Sequence, residues 1–179
     1  MAFQKRTITD EASLYEYAVG ALGRRMRSVA ELKRLLRNRV PRDEAGSILV
    51  EMVILRLKEQ KYLNDPKYAA TYSVYRRDNE KYGERRVITD LKAKGLHPEV
   101  IQKAVKEAYS GVNEEQLARD FLKRKRLKKP ADNRQAAKVF RTLMRAGFTS
   151  RTSIKILKSW DVDDEVLTAL QEEESSAQS

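Results

Sequence analysis

One histidine and no cysteine limit the chemistry that this 179-residue chain can perform. His97 stands directly before Pro98, at the predicted start of a helix. Zinc fingers, iron–sulfur clusters, thiolate nucleophiles and disulfides all require cysteine, so these classes of site are excluded. A metal site would need clustered ligands, and a single imidazole in this position is far more often an ordinary loop residue than a base or ligand. We interpret His97 in that way.

Two further patterns of catalysis are missing from the sequence. No glycine-rich loop is followed by Lys-Ser or Lys-Thr, so the chain lacks a P-loop phosphate cradle. Any Ser-His-Asp triad would have to use His97, and the carboxylates pair with Lys and Arg at the spacing of neighbours on a helix face. We therefore expect a protein that is not an enzyme and binds no cofactor or metal. Catalytic turnover of any substrate that is lost when His97 is replaced would support the alternative that the protein is an enzyme.

The side chains with most potential for binding are the cations. Lys and Arg number 37 against 26 Asp and Glu, which gives a formal net charge of +11. Residues 24–42 hold eight cations and one acid, and residues 121–145 hold ten cations and one acid. The run KRKRLKK at 123–129 is expected to cover every side of its helix. Such segments either solubilise a surface or bind a polyanion or an acidic protein, and we favour the second interpretation.

The elements that position these cations are predicted to be helices throughout. Apolar residues recur at intervals of three and four, and alternation with period two is absent. No apolar run reaches the roughly 18 residues of a membrane span, and no secretory signal is visible, so we expect a cytoplasmic protein. The predicted helices are 11–25, 29–38, 43–60, 66–79, 84–94, 98–108, 113–127, 133–145 and 150–159, with a last short helix at 163–171.

Local patterns mark several helix ends. Ser28 and Glu31 form a capping-box sequence. Asp65 is expected to cap a helix whose first residue is Pro66. Two glycines, each followed by a large apolar residue, predict left-handed C-terminal caps at Gly95 and Gly147.

The helices repeat with a period of about 50 residues. The first, fourth and seventh helices each carry an alanine followed seven positions later by a cation. These pairs are Ala18 and Arg25, Ala69 and Arg76, and Ala118 and Lys125. In the second and third groups a glycine ends the middle helix, whereas the first group has Arg39 in its place. We predict an all-α fold, an elongated curved array of three tandem three-helix units that stabilise one another.

The predicted organisation has five parts. A flexible N-terminus at 1–10 and a disordered acidic tail at 172–179 flank the repeats. The repeats are assigned to 11–63, 64–111 and 112–171. Stacked units would place Arg25, Arg76 and Lys125 in a row, a spacing that suits a long polyanion or the groove of a filament.

Tyrosines are concentrated in the first helix of the second repeat. Tyr68, Tyr72 and Tyr75 share one helix face, and we interpret them as packing residues. The alternative is a partner surface, because tyrosine is enriched at binding hot spots.

Three stretches of the chain, within about residues 15–159, resemble the RecX family of RecA regulators. YAVGALGRRMRSVAELKRLL matches it through Arg25, Ser28, Glu31, Leu32 and Leu35. KYLNDPKYAATYSVYRR followed by YGERRVITDLKAKG matches it through Leu63, Asp65, Tyr68, Ala69, Arg76, Gly83, Arg86, Leu91, Lys94 and Gly95. TLMRAGFTSRTSIKIL matches it through Leu143, Arg145, Gly147 and Phe148. The chain departs from the family at Asn64, where an aspartate is usual, and at Lys81, where a glycine is usual; its loop from Arg76 to Gly83 is one residue longer.

The resemblance implies a non-enzymatic modulator, mainly an inhibitor, of the RecA recombinase. Relatives bind in the groove of the RecA–DNA filament, bridge its protomers and suppress ATP hydrolysis and strand exchange, which regulates DNA repair and the SOS response. The implied partner is RecA protein, as the filament and also as the monomer. Single- and double-stranded DNA are expected as weak or accessory ligands. We expect a monomer that does not bind membranes.

We expect cations on the repeats to form the partner surface. The candidates are Arg25, Arg27, Arg76, Arg77, Arg85, Arg86, Lys94, Lys123, Lys125, Arg134, Arg141 and Arg145. The alternative is a DNA-binding helical repeat protein that acts without RecA, because three-helix units resemble helix-turn-helix domains. The third helix of the second repeat begins with His97, Pro98 and Glu99, and a carboxylate there would repel phosphate. This feature disfavours base reading.

Overall fold

Helices make up all the regular secondary structure that this computed structural model describes, which covers residues 7–177 without the side chains of 174, 175 and 177. They are α1 (Glu11–Arg24), α2 (Val29–Arg37), α3 (Glu44–Glu59), α4 (Asp65–Asp78), α5 (Glu84–Ala93), α6 (Pro98–Tyr109), α7 (Glu114–Arg124), α8 (Asn133–Arg145), α9 (Ser150–Lys158) and α10 (Asp164–Ala177). The predicted all-α class is confirmed, and each predicted helix is present with its ends moved by a few residues. Over the same range, no helix has the length and apolar character needed to cross a bilayer.

Two helix boundaries differ from the prediction in an informative way. α10 continues to Ala177, past the expected end at 171, because the glutamates that follow are good helix formers. Asn64, rather than Asp65, caps α4: its side chain accepts the Lys67 N–H at 2.8 Å. The predicted cap at Asp65 is wrong because that carboxylate is used elsewhere, on α2.

The chain forms two compact units. One contains the residues up to Thr71 together with Leu91–Gln102, and the other contains Tyr72–Asp90 and the residues from Lys103 onward. α4, α5 and α6 therefore contribute residues to both units. The curved array of three repeats and its boundaries stay a prediction, as does the flexibility of residues 1–10. The predicted disorder of the acidic tail is wrong for 172–177, which belong to α10. Residues 1–6 and 178–179 lie outside the described residues.

The core of the first unit lies between α1, α2 and α3. On α1, Leu14, Ala18 and Ala21 recur at intervals of four and three, and all three are fully buried. They pack against Leu32 and Leu36 of α2 and a buried stripe on α3, so the alanines allow close helix approach while the leucines fill the space. Each buried leucine contributes about 1.5–3 kcal/mol by leaving water.

The core of the second unit lies between α7, α8, α9 and α10. Phe121 of α7 contacts Phe148, with ring centroids 5.7 Å apart, and Phe140 and Leu143 of α8 are buried beside them. Tyr82, which precedes α5, packs on the same cluster at 5.9 Å from the Phe121 ring. This aromatic cluster fixes the position of the α4–α5 loop and hence of the cations near it.

Both predicted glycine caps are confirmed. Gly95 and Gly147 have φ of 76° and 91°, in the left-handed region that disfavours any side chain. The N–H groups of the following residues reach back to the helix, as in a Schellman motif: Leu96 to Leu91 at 3.3 Å and Phe148 to Leu143 at 3.2 Å. These caps end α5 and α8 at defined points.

Candidate functional site

Several motif residues of the first unit meet around the carboxylate of Glu31. It accepts hydrogen bonds from the Ser28 N–H at 3.0 Å, the Lys94 ammonium at 3.1 Å and the Tyr68 hydroxyl at 3.2 Å. The Arg25 guanidinium lies further away, at 3.9 Å. Burial alone would raise the pKa of Glu31, but the Ser28 N–H and the Lys94 ammonium lower it below its ordinary value. The charged carboxylate thus holds α2 to neighbouring elements.

The N-terminus of α2 is tied to two other helices by the residues next to this carboxylate. The capping box predicted at Ser28 and Glu31 is confirmed. The buried Ser28 hydroxyl also donates to the Lys94 carbonyl at 2.6 Å, just past the end of α5. Asp65, at the start of α4, accepts the Val29 N–H at 2.9 Å. Lys94 therefore links helices within the first unit, and its side chain is only 25% exposed.

A second cluster, in the second unit, is built around Asp90 of α5. This carboxylate contacts Arg76 at 2.7 Å, the Tyr72 hydroxyl at 3.0 Å and Arg86 at 3.0 Å. The Arg76 guanidinium also lies over the Tyr82 ring, 4.6 Å from its centroid. Burial would lower the pKa of Arg76, but the hydrogen bond to Asp90 raises it, so the cation is held charged and internal.

The cations expected at the partner surface therefore fall into two groups. Arg76, Arg77 and Lys94 are half-buried and engaged with groups of their own unit; Arg77, for example, donates to the Ala108 carbonyl and pairs with Asp78. Arg27 is also half-buried, and its Nε lies 3.5 Å from the Ala21 carbonyl. The remaining candidates are exposed: Arg25, Arg85, Arg86, Lys123, Lys125, Arg134, Arg141 and Arg145.

The largest aligned set of exposed cations lies on one face of α8, called here the α8 cationic face. Its members are Arg134, Lys138, Arg141 and Arg145, spaced by four, three and four residues. They line a surface concavity of about 540 Å³. At 1.5 Å per residue the face is about 16 Å long. Sequence reasoning had not included Lys138, although its helical spacing from the other three could have identified it.

Intramolecular acids engage this face at one position. Arg141 forms an ion pair with Glu173 of α10 at 3.0 Å, and both side chains are more than half exposed. Neither Arg134 nor Arg145 has a carboxylate within ion-pair distance among the described side chains. These two guanidinium groups can therefore meet an anionic partner without first breaking such a pair.

The basic run at 123–129 differs from the prediction. α7 ends at Arg124, Lys125 is its C-cap, and Arg126 adopts φ of 54°, so the cations extend from a turn instead of encircling a helix. Arg124 pairs with Glu80 at 3.0 Å and Lys129 with Asp161 at 2.8 Å. The helix ends here because Arg126 takes a left-handed conformation and the Leu127 N–H reaches back to the Leu122 carbonyl at 2.9 Å, which lets Leu127 pack on the core of the second unit.

Arg25 and Lys125 occupy equivalent places, since each is the exposed C-cap of its helix. Arg76 differs from them because it lies within α4 and is bound to Asp90. The row of three cations stays a prediction, and its middle member already has a partner.

Of the three tyrosines interpreted as packing residues, Tyr68 is buried at 6% exposure, whereas Tyr75 is 54% exposed. The packing interpretation is therefore wrong for Tyr75, because its part of α4 faces solvent. His97 is exposed and its carbonyl accepts the Ile101 N–H at the start of α6. In the part of the chain that the structure describes, no three His, Asp or Glu side chains are grouped to hold a metal ion.

A groove that sequence reasoning missed lies in the first unit and is called here the α1 groove. Its lining includes Val19, Leu22 and Gly23 of α1, and Met26, which follows that helix. Tyr62, which follows α3, also lines the groove, whose volume is about 390 Å³. The remaining lining residues are Arg27, Lys61, Asn64, Lys67 and Tyr68.

Comparisons with known proteins identify relatives along most of this chain. The sequence is 32% identical over 148 residues to "Regulatory protein RecX" of Pseudomonas putida, a match that covers 82% of this chain and 90% of the relative. The protein of the same name from Pseudomonas fluorescens is 30% identical over 82% of this chain and 91% of its own length. The RecX protein of Listeria innocua is 27% identical, and the match spans 55% of that longer protein. No protein-family model matches the sequence.

Solved structures support the same fold. The "Crystal structure of RecX from Lactobacillus salivarius" superposes with a TM-score of 0.62 at 18% identity, over 84% of this chain and 96% of that chain. The "Crystal structure of regulatory protein RecX" gives a TM-score of 0.61 at 23% identity, over 83% and 71% of the two chains. With its helices, its motif residues and its Pseudomonas relatives in agreement, the chain belongs to the RecX family of regulatory proteins.

Proposed function

We propose that the chain is a non-enzymatic regulator of the RecA recombinase, mainly an inhibitor, that binds in the groove of the RecA–DNA filament. It would thereby control DNA repair and the SOS response, and act as a monomer. Membership of the RecX family supports RecA as the partner. The α8 cationic face supports an acidic or phosphate-lined binding surface, because Arg134 and Arg145 are exposed and unpaired among the described side chains.

The proposed mechanism is a shift between filament states. A protein that contacts adjacent protomers favours the arrangement it binds, and opposes the rearrangements that ATP turnover and strand exchange require. Such an effect needs differential affinity for one filament state and no chemistry by the regulator itself.

The test is ATP hydrolysis by RecA on single-stranded DNA, with and without this protein. We expect hydrolysis to fall as the protein approaches a ratio of one to RecA or less. Unchanged ATP hydrolysis, filament length and strand exchange would reject the proposal.

The second candidate is a DNA-binding protein that acts without RecA, which the high net charge favours. Affinity for DNA measured against salt, with RecA omitted, separates the two. Tight binding of duplex DNA at physiological salt, without any effect on RecA, would favour the second candidate. Weak binding that disappears as salt rises fits an accessory contact.

A further inference from the structure

The α1 groove holds apolar side chains that the described part of the chain leaves exposed. Met26 and Tyr62, which both line the groove, are 50% and 58% exposed. Val19 and Leu22 continue the apolar wall toward the core of the first unit, where they are partly buried. Since exposed apolar side chains grouped around a concave surface favour association, this groove suits an inserted side chain.

A glycine in the last turn of α1, Gly23, lines this groove. Gly23 lies in the last turn of α1 with a helical backbone and not a left-handed one. Apart from its own turn of helix, a Cβ built on it would find no atom of the described residues within 4 Å. Glycine weakens a helix relative to alanine, so neither conformation nor internal packing accounts for it. Close approach by a partner would.

The charge around the groove selects the kind of partner. Three cations line it, Arg27, Lys61 and Lys67, and no aspartate or glutamate lines it. A partner segment that carries carboxylates on both sides of an apolar side chain would match both features. Single-stranded nucleic acid fits less well, because such sites stack successive bases on several aromatic rings, and here Tyr62 is the one exposed ring beside aliphatic side chains.

We propose that the α1 groove binds an acidic segment of a protein partner, which inserts an apolar or aromatic side chain that contacts Gly23, Met26 and Tyr62. Where the partner is the RecA filament, the inference rests on the proposed function and specifies a second contact besides the cationic surface. The partner backbone approaches α1 at Gly23, and the cations of the rim pair with the flanking carboxylates.

The first experiment uses a matched pair of glycines. Gly20 and Gly23 both lie in α1 and both have open space around a built Cβ, but only Gly23 lines the groove. We expect Gly23→Leu to weaken binding to RecA filaments on single-stranded DNA at least tenfold, and Gly20→Leu to bind as the wild type does. Both variants should match or exceed the wild-type melting temperature. Equal binding by the two variants would overturn the assignment.

The second experiment identifies the occupant. A photo-reactive benzoylphenylalanine replaces Tyr62, and the control places it at Tyr75, which has similar exposure outside the groove. Cross-links from Tyr62 should map by mass spectrometry to a segment of RecA rich in Asp and Glu. Cross-links to DNA, or a yield at Tyr62 no higher than at Tyr75, contradict the proposal.

A third measurement does not depend on RecA regulation. A fluorescent acidic hexapeptide with a central Leu-Phe pair is titrated with the protein, and its Lys-substituted counterpart is the control. We expect the wild-type protein to bind the acidic peptide and not its Lys-substituted counterpart. The Gly23→Leu variant should bind neither. If the wild-type protein leaves RecA unaffected but this pattern holds, the proposed function fails and the groove assignment stands. If the wild-type protein inhibits RecA but does not bind the acidic peptide in this way, the groove assignment fails and the proposed function stands.

Discussion

The hydroxyl of Ser28 donates a 2.6 Å hydrogen bond to the backbone carbonyl of Lys94, 66 positions later in the chain. An equivalent contact recurs in the second unit, where the Gly83 N–H donates to the Ala146 carbonyl at 2.8 Å. In both cases the residue before a helix start binds the residue before a left-handed glycine. The first pair joins α2 to α5, and the second joins α5 to α8.

The glycines beside these carbonyls are also close-packed. A Cβ added to Gly95 would stand 2.6 Å from the Cβ of Ala30, and one added to Gly147 would stand 2.6 Å from the Cβ of Arg86. Each glycine thus packs on the first turn of the helix that its neighbour binds. The recurrence is consistent with the repeat of about 50 residues and gives the motif glycines a physical reason.

Gly147→Ala tests this close packing. The left-handed backbone and the contact with Arg86 both oppose a methyl group, so we expect the free energy of unfolding to fall by about 2 kcal/mol or more. The measurement is urea denaturation followed by circular dichroism. Gly111→Ala is the matched control, since Gly111 has φ of 72° but no atom within 4 Å of a built Cβ. Equal losses in the two variants would show that packing at Gly147 adds nothing beyond the backbone conformation.

Lys81→Gly is expected to stabilise the protein. Lys81 adopts φ of 57°, which costs a non-glycine residue about 1 kcal/mol or more. Glycine removes that strain but makes the unfolded chain more flexible, so the net gain should be up to about 1 kcal/mol. Thermal denaturation measures it. Lys106→Gly, within α6, is the control and should lose about 1 kcal/mol. A loss of stability in both variants would contradict the strain argument.

Most of the fold could be predicted because its determinants are local. The apolar spacing of α1 to α9, the capping box at Ser28 and the glycines after α5 and α8 lie within a few residues of the structure they specify. Asp65 shows the limit of this reasoning. Its carboxylate can cap its own helix or another, and only the approach of α2 to α4 decides that it binds Val29.

The candidate site was predictable in part, for a related reason. Positive charge is visible in the sequence, but the exposure of each cation depends on where its carboxylate partners lie. By its repeat position Arg76 is equivalent to Arg25 and Lys125. It nevertheless forms an ion pair with Asp90, 14 positions later, which keeps its side chain half-buried. The α1 groove was missed because Gly23 and Tyr62 are separated along the chain and follow no shared pattern.

Glu31→Gln should change the pH dependence of stability. The folded-state pKa of Glu31 lies below its ordinary value of 4.5, so the stability that its charge contributes is present above pH 4.5 and is lost as pH falls through the folded-state pKa. At pH 7 the substitution should cost about 1–3 kcal/mol, because it weakens the bonds to Lys94 and Tyr68. Below pH 4.5 the difference from the wild type should shrink.

Urea denaturation at several pH values between 3 and 7 follows this change. Glu99→Gln, at an exposed position without an ion pair among the described side chains, is the control and should follow the wild-type curve. A constant difference between Glu31→Gln and the wild type at every pH would show that the charge of Glu31 is not what stabilises the junction.

The double variant Arg134→Glu, Arg145→Glu tests the α8 cationic face. The two guanidinium groups are exposed and free of ion pairs among the described side chains, so their reversal should leave the fold intact. If the face contacts the filament, the concentration needed to inhibit RecA ATP hydrolysis should rise about tenfold or more, which is about 1.4 kcal/mol. The dependence of binding on salt should also weaken if the contacts are with phosphates.

The control for this variant carries the same change in net charge elsewhere in the second unit. Lys103→Glu, Lys106→Glu alters two exposed lysines of α6 that form no ion pair among the described side chains. A general effect of net charge would weaken both double variants equally, because long-range attraction depends on total charge. A specific contact would weaken only the α8 variant. Equal inhibition by the two variants would therefore place the filament contact on another surface of the protein.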